Sequence, residues 1–175
     1  MTQQNRTDGR LPDRERTPAR LIVLRVLFTL LAAGTVAFIF SNSLQNGAAS
    51  GLRSAAVTEW FNGALARVGV GWRFSEHLVR KLGHFSEYAL LGFWLMLSLR
   101  VYTQRILSHI SWPLFFGLLA GVLDEGIQMF IAGRGSDVRD VVIDFSGVVC
   151  GLLAASFLLL LVRMFHVLRE SKTPL

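Results

Sequence analysis

Four long apolar runs, separated by polar segments, organise the chain and set the fold class that it predicts. A membrane-spanning helix needs about 20 mostly apolar residues, and each run reaches or approaches that length. We therefore predict an all-α membrane protein, a compact bundle of four transmembrane helices. Their predicted positions are about 21–41, 75–101, 111–131 and 138–165. The flanking stretches 1–20 and 166–175 are polar, and we expect a disordered N-terminal tail and a short C-terminal tail.

The connection between the first two runs is too long for a simple turn and has its own helical pattern. Apolar residues recur there at near-helical spacing, at Leu52, Ala56, Trp60, Phe61, Leu65 and Val68. Helices with one apolar face lie in the headgroup layer of a bilayer, so we expect an amphipathic helix on the outer surface. Ser75 is a candidate N-cap for the next helix. Gly133 and Gly135 predict a tight outer turn around Arg134.

Composition and charge agree with a membrane protein of one domain. Of the 175 residues 52% are hydrophobic, and the mean hydropathy is +0.46. The net charge of +6 fits the basic flanks of membrane helices, so we expect no nucleic-acid partner. Basic residues are more numerous at both termini and in the second-to-third connection, which predicts cytoplasmic termini in a bacterial cytoplasmic (inner) membrane. Cys150 is the single cysteine and excludes an internal disulfide.

Polar side chains interrupt three of the apolar runs at the same predicted depth. Helical rise is about 1.5 Å per residue, so distance from the cytoplasmic end of each run can be counted. The residues that fall in the outer half of the bilayer are His84, Glu87, Asp124, Gln128, Asp140 and Asp144. Residues spaced three or four apart share a helix face. Since charges facing lipid are costly, we predict that the three polar stripes form one shared pocket.

Two chemical interpretations of the acidic and imidazole groups stay open. The spacing of His84 and Glu87 suits a general acid/base pair or a pair of metal ligands, and it equally suits structural hydrogen bonds between helices. The carboxylates of Asp124, Glu125 and Asp144 suit a divalent cation. However, nearby Arg and Lys residues nearly balance the acidic ones. We therefore predict no metal and no other cofactor, with His84 and Glu87 as the candidate catalytic residues.

The basic residues at the outer rim suggest an anionic ligand. Arginine binds phosphate with a bidentate fork and lysine binds it as a point charge, although snorkelling to the headgroups is the alternative. Tyr88 either hydrogen-bonds His84 or anchors at the interface. The predicted ligand-binding residues are Lys81, Tyr88, Asp124, Glu125, Gln128, Arg134, Asp140 and Asp144. The chain has no phosphate-binding glycine loop, nucleophile elbow or paired-histidine zinc helix.

Three segments resemble the VanZ-like family of small integral membrane proteins: RKLGHFSEYALLG (80–92), DEGIQMFIAGR (124–134) and DVRDVVIDFSGVVCG (137–151). The resemblance implies a compact four-helix membrane fold, and founding members are linked to resistance to the glycopeptide antibiotic teicoplanin. It does not imply that this protein confers resistance. The positions that match the family motifs are Lys81, His84, Glu87, Tyr88, Glu125, Gln128, Arg134, Asp140 and Gly147. Many relatives carry Asn at the position of Asp144, so the resemblance implies no fixed negative charge there.

Three hypotheses of function follow. The first is a membrane protein that binds an anionic envelope lipid or cell-envelope precursor in the outer polar pocket. The second is an enzyme acting on such a lipid, with His84 and Glu87 as acid and base. The third is a proton-coupled carrier that uses Glu87 and Asp124, which the absence of an internal repeat and of a polar path through the inner half disfavours. The sequence leaves the oligomeric state open.

Overall fold

The computed structural model describes residues 18–170, and this part of the chain is entirely helical apart from its connections. The helices are α1 (Ala19–Ser43), α2 (Gly47–Arg67), α3 (Glu76–Tyr102), the short α4 (Ile106–His109), α5 (Ser111–Gln128) and α6 (Val138–Glu170). The all-α prediction is confirmed. Most of the predicted N-terminal tail, together with 171–175, lies outside the described residues. Helix α6 runs to Glu170, five residues past the predicted end at 165.

Three helical stretches in the described region are long and apolar enough to cross a membrane, where the sequence predicts four spans. They are Ala19–Ser43, Ile106–Gln128 and Val138–Arg169. Helix α3 is not among them, because Arg80, Lys81, His84 and Glu87 make its first half polar. Large apolar side chains on the other three helices point outward, as at Leu30, Phe115 and Leu153. An apolar outer surface of this kind matches the hydrocarbon of a bilayer.

Helix α3 lies at the centre of the bundle. It contacts each of the other five helices and packs most extensively against α6 and α1. Tyr88 and Leu91 of α3 are buried in a core with Val148 of α6 and Ile39 of α1. A helix that its neighbours cover does not need an apolar surface of its own. In the polar stripe of α3, Lys81, His84 and Glu87 are accordingly partly buried, whereas Arg80 is exposed.

Glycines allow α3 and α6 to approach closely. A Cβ atom on Gly147 or Gly151 of α6 would collide with the backbone of α3, at Phe85 and Ala89 respectively. A Cβ atom on Gly92 of α3 would in turn collide with the backbone of Val148. Small residues at such spacing favour close packing of membrane helices. Gly147 and Gly151 have the small-xxx-small spacing that is typical of such contacts.

Local signals place the ends of the helices near the polar side of the bundle. The Ser75 hydroxyl accepts a hydrogen bond from the Leu78 amide at 3.3 Å, which confirms the predicted N-cap of α3. Gly133 has a φ of 76°, a left-handed conformation that favours glycine, in the turn after α5. The Gly47 amide donates to the Ala132 carbonyl at 3.1 Å. This bond ties the start of α2 to the connection between α5 and α6.

Candidate functional site

Helices α3, α5 and α6 and the 129–137 connection surround a polar cavity of about 220 Å³, which we call the inner cavity. Its polar lining consists of Ser50, Arg80, Lys81, His84, Glu125, Gln128, Arg134, Asp140 and Asp144. Side chains from three predicted polar stripes thus meet in one place. The predicted meeting of the stripes is therefore seen in the fold, and their depth in the bilayer stays a prediction.

A second cavity of about 200 Å³ adjoins the first, and we call it the arginine cavity. The two cavities share Ser50, Arg80, His84 and Arg134. The arginine cavity is lined in addition by Asn42, Arg53, Ser54, Val57, Val79, Gly83 and Glu87. His84 and Glu87 therefore border the same space. Their predicted acid/base role stays a prediction.

The partly buried His84 lies in one cluster with the buried Asp124 and Asp144. One ligand atom from each residue lies within 4.8 Å of the others. Asp124 and Asp144 are 0% and 1% exposed. Gln128 Nε2 donates to Asp124 Oδ2 at 2.9 Å. Asp124 Oδ1 and both carboxylate oxygens of Asp144 have no hydrogen-bond partner among the described residues.

The other carboxylates of the site have protein partners. Lys81 Nζ lies 2.8 Å from Asp140 Oδ1, and both side chains are partly buried. Glu125 Oε2 accepts a hydrogen bond from the Asp137 amide at 3.0 Å. This contact joins the end of α5 to the start of α6. Glu125 thus combines a structural contact with a position in the lining of the inner cavity.

Arg134 connects the 129–137 turn to the end of α1. Its Nη2 donates to the Asn42 carbonyl at 2.9 Å. The Asn42 side-chain amide donates in turn to Glu87 Oε1 at 2.9 Å. Burial lowers the pKa of the Arg134 guanidinium, which remains protonated at neutral pH. Because a guanidinium has five N–H donors, others are left to face the cavities.

Comparison with known proteins identifies the family. Residues 26–161 match the VanZ/LLP1 family, and this match covers well over half of the chain. The chain belongs to the VanZ/LLP1 family. It is accordingly a multi-pass integral membrane protein. No curated protein and no solved structure matches it significantly.

In this VanZ/LLP1 protein Tyr88 does not have the environment that its sequence position predicts. The side chain is 0% exposed, and its hydroxyl donates to the Ala120 carbonyl at 3.4 Å. The expectation that Tyr88 either hydrogen-bonds His84 or anchors at the membrane interface is wrong. Tyr88 lines neither cavity, because α3 turns this residue toward α5 and the apolar core.

The VanZ/LLP1 site also contains residues that sequence reasoning missed. Asn42 bridges Glu87 and Arg134, and the buried Ser43 accepts a hydrogen bond from Gln128 Nε2 at 3.4 Å. Both belong to the polar FSNS segment at the end of the first apolar run. This polar segment is the sequence signal that could have identified them. Arg53 on α2 had no such signal. Its place at the arginine cavity depends on how α2 packs.

Proposed function

We propose that this VanZ/LLP1-family protein binds the anionic headgroup of an envelope lipid or cell-envelope precursor in its two joined cavities. The observation that supports this function is the convergence of Arg53, Arg80 and Arg134 on the arginine cavity. Glu87 is the one carboxylate in that lining, and it accepts a hydrogen bond from Asn42. Guanidinium groups bind phosphate oxygens through short, charge-assisted, bidentate hydrogen bonds.

The three arginines are better placed for this role than Lys81. Lys81 is already paired with Asp140, whereas the sequence-based hypothesis assigned it to the headgroup. The side chains of Arg53 and Arg80 form no ion pair or hydrogen bond with another residue in the 18–170 region. Arg134 uses one donor on Asn42. The cavity therefore presents positive charge that the protein itself does not neutralise.

An apolar groove beside the arginine cavity favours a lipid over a free anion. The groove has a volume of about 350 Å³ and is lined by Val57, Phe61, Phe74, Val79, Leu82, Gly83 and Ser86. It shares Val57, Val79 and Gly83 with the arginine cavity. An amphipathic ligand would place its charged group among the arginines and its hydrocarbon chain in the groove. Apolar surface removed from water contributes roughly 25 cal/mol per Å².

The proposal includes a four-span topology with α3 as the remaining span and both termini on the cytoplasmic side. Helix α3 has 27 residues, which correspond to about 40 Å and exceed the thickness of the hydrocarbon core. In its polar half, Lys81, His84 and Glu87 are partly buried. In this arrangement both cavities open toward the outer headgroups, and α2 lies along the outer surface.

The experiment compares Arg134→Ala with Arg139→Ala in the full chain purified in detergent. Arg139 comes from the same region but lines neither cavity, so it controls for loss of one positive charge. The probes are phosphatidylglycerol, zwitterionic phosphatidylcholine and inorganic phosphate, with bound ligand measured by native mass spectrometry. We expect retention of phosphatidylglycerol by the wild-type chain and by Arg139→Ala. Since a charge-assisted hydrogen bond contributes about 1.5–3 kcal/mol, Arg134→Ala should weaken binding at least about tenfold.

Three outcomes would contradict the proposed function. One is equal binding of phosphatidylglycerol by the Arg134→Ala and Arg139→Ala variants. Another is equal binding of phosphatidylglycerol and phosphatidylcholine by the wild-type chain. The third is tight binding of inorganic phosphate without any lipid, which would assign the cavity to a free anion.

A further inference from the structure

We propose that His84, Asp124 and Asp144 form a binding site for one divalent transition-metal ion of the Zn²⁺ type. The site adjoins the arginine cavity, whose lining includes His84, but its metal binding does not depend on the proposed lipid. Each ligand comes from a different helix, α3, α5 and α6 respectively. Metal binding would therefore join the three helices that build the polar end of the bundle.

The distances within the cluster suit a single ion. The three candidate ligand atoms lie within 4.8 Å of one another. An ion bound at about 2.1 Å from each atom holds its ligands roughly 3–4 Å apart. Small rotations of the side chains are enough to close the set. No movement of the helices is required.

The unpartnered carboxylate oxygens are the second and independent observation. Both oxygens of Asp144 and Oδ1 of Asp124 are buried without a hydrogen-bond donor in the described part of the chain. Buried carboxylates require compensation by donors or by positive charge. Lys81 is paired with Asp140, and no Arg or Lys side chain among the described residues forms an ion pair with Asp124 or Asp144. A divalent ion supplies the charge that would balance both aspartates.

This geometry removes the reason for expecting no metal. The near balance of acidic and basic residues in the sequence suggests that the cluster is neutralised internally. In the fold, neither Asp124 nor Asp144 forms an ion pair with a described residue. Acidic and basic residues near the cluster are nearly equal in number, but these two aspartates are not paired with basic side chains in the described part of the chain.

A supporting hydrogen bond orients one of the ligands. Gln128 Nε2 donates to Asp124 Oδ2 at 2.9 Å, and Oδ1 has no partner in the described region. The same amide nitrogen donates to the Ser43 hydroxyl at 3.4 Å. Metal ligands in proteins are commonly fixed by such outer hydrogen bonds. The arrangement thus resembles a supported ligand set rather than a chance group of acids.

The donor set indicates the class of ion. One imidazole nitrogen and two carboxylate oxygens suit Zn²⁺ or Mn²⁺, whereas soft Cu⁺ prefers the thiolate and thioether ligands that this cluster lacks. Three protein ligands leave at least one coordination position open. His84 and Asp144 line the inner cavity, so that position would face the cavity. A water molecule or an oxygen of a bound anion would complete the coordination.

The test is metal binding by the full chain in detergent, with the affinity tag removed and endogenous metal stripped by a chelator. Zn²⁺ alone is added in phosphate-free, lipid-free buffer, and metal per chain is measured by mass spectrometry of the digested protein after dialysis. We expect one Zn²⁺ per wild-type chain. His84→Gln and Asp144→Asn should each weaken Zn²⁺ binding at least tenfold.

Matched controls come from outside the cluster. His77→Gln changes an exposed histidine on the same helix, and Asp137→Asn changes an exposed aspartate just before α6. Both should keep one Zn²⁺ per chain. Size-exclusion elution verifies folding of each variant. If Asp144→Asn does not fold, His84→Gln decides alone, because His84 is less buried.

The proposal is overturned if the wild-type chain binds no stoichiometric Zn²⁺. It is also overturned if His84→Gln and Asp144→Asn bind Zn²⁺ as tightly as the wild type. Arg134→Ala should keep its metal while losing phosphatidylglycerol, because Arg134 is not a ligand. Lipid binding without metal binding in the wild type would remove only the metal site. Metal binding without lipid binding would remove only the lipid function.

Discussion

Burial of the Asp144 side chain has opposite effects on stability in the absence and in the presence of a bound cation. It is 1% exposed, and neither carboxylate oxygen has a partner among the described residues. Without compensation, such a group destabilises the fold. With a cation bound, the same group would stabilise it, because ligand binding to the native state raises stability.

This contrast predicts opposite effects of Asp144→Asn in two conditions. In chelator, the variant should be more stable than the wild type by about 1 kcal/mol or more, which corresponds to roughly 2–4 °C in the unfolding temperature. The reason is that the amide avoids the cost of burying a carboxyl group that no donor or cation compensates. In excess Zn²⁺, the wild type should become the more stable protein. Thermal unfolding in detergent measures both.

Asp137→Asn is the control for this prediction. Asp137 is exposed, and its Oδ1 accepts a hydrogen bond from the Arg139 amide at 2.8 Å. Its replacement should not respond to Zn²⁺. If Asp144→Asn is less stable than the wild type by the same amount in chelator and in excess Zn²⁺, then Asp144 acts only through contacts within the protein.

At the residue scale, the sequence predicted the faces of the helices but not the pairs across them. Spacings of three and four residues place His84 and Glu87 on one face of α3, and both border the arginine cavity. The pairing of Lys81 with Asp140 depends on how α3 and α6 rotate relative to each other. The sequence of a single protein does not determine that rotation. Tyr88 shows the same limit. It directly follows Glu87, yet Glu87 borders the arginine cavity and Tyr88 lies in the apolar core.

At the scale of elements, the contact between α3 and α6 depends on glycine. Gly151→Ala should destabilise the protein by about 1–3 kcal/mol, because its Cβ would meet the backbone at Ala89 and that backbone cannot rotate away. Gly126→Ala is the matched control on α5, where no atom lies within 4 Å of the added Cβ. Alanine favours helix there by up to about 1 kcal/mol. Thermal unfolding of the two variants should therefore shift in opposite directions.

An equal response of the two glycine variants would contradict the close approach of α3 and α6. Local signals were sufficient for the Ser75 cap and the Gly133 turn, because each depends on a few adjacent residues. The placement of α2 was not predictable in this way. It depends on the bond between Gly47 and Ala132, which are far apart in sequence. Arg53 reaches its cavity because α2 also packs against α3.

At the scale of the whole molecule, helix length and hydropathy alone do not determine the number of membrane spans. By these two criteria, three helical stretches of the described region could span a membrane, and α3 is not among them. Helix α3 instead contacts all of the other helices. A covered helix carries polar groups at lower cost than an exposed one. The packing of α3 against the other helices is therefore the observation that favours α3 as the fourth predicted span.

Single-cysteine labelling distinguishes the two topologies. In a Cys150→Ser background, Ser136→Cys lies between α5 and α6, and Gln104→Cys lies between α3 and α4. Four spans with cytoplasmic termini predict that an impermeant maleimide modifies position 136 in intact cells and position 104 only after permeabilisation. If α3 does not cross, the two positions exchange their behaviour. Labelling is read from the mass of the purified protein.

The polar α3 also has a consequence for synthesis of the chain. Lys81 and its partner Asp140 are separated by 59 positions, so the ribosome makes the positive charge long before the negative one. In the proposed topology, α3 enters the bilayer with this counterion still missing. Its insertion is then complete only when the last helix emerges and docks. Chains that stop short of α6 would leave an unfinished, charged segment exposed to membrane quality control.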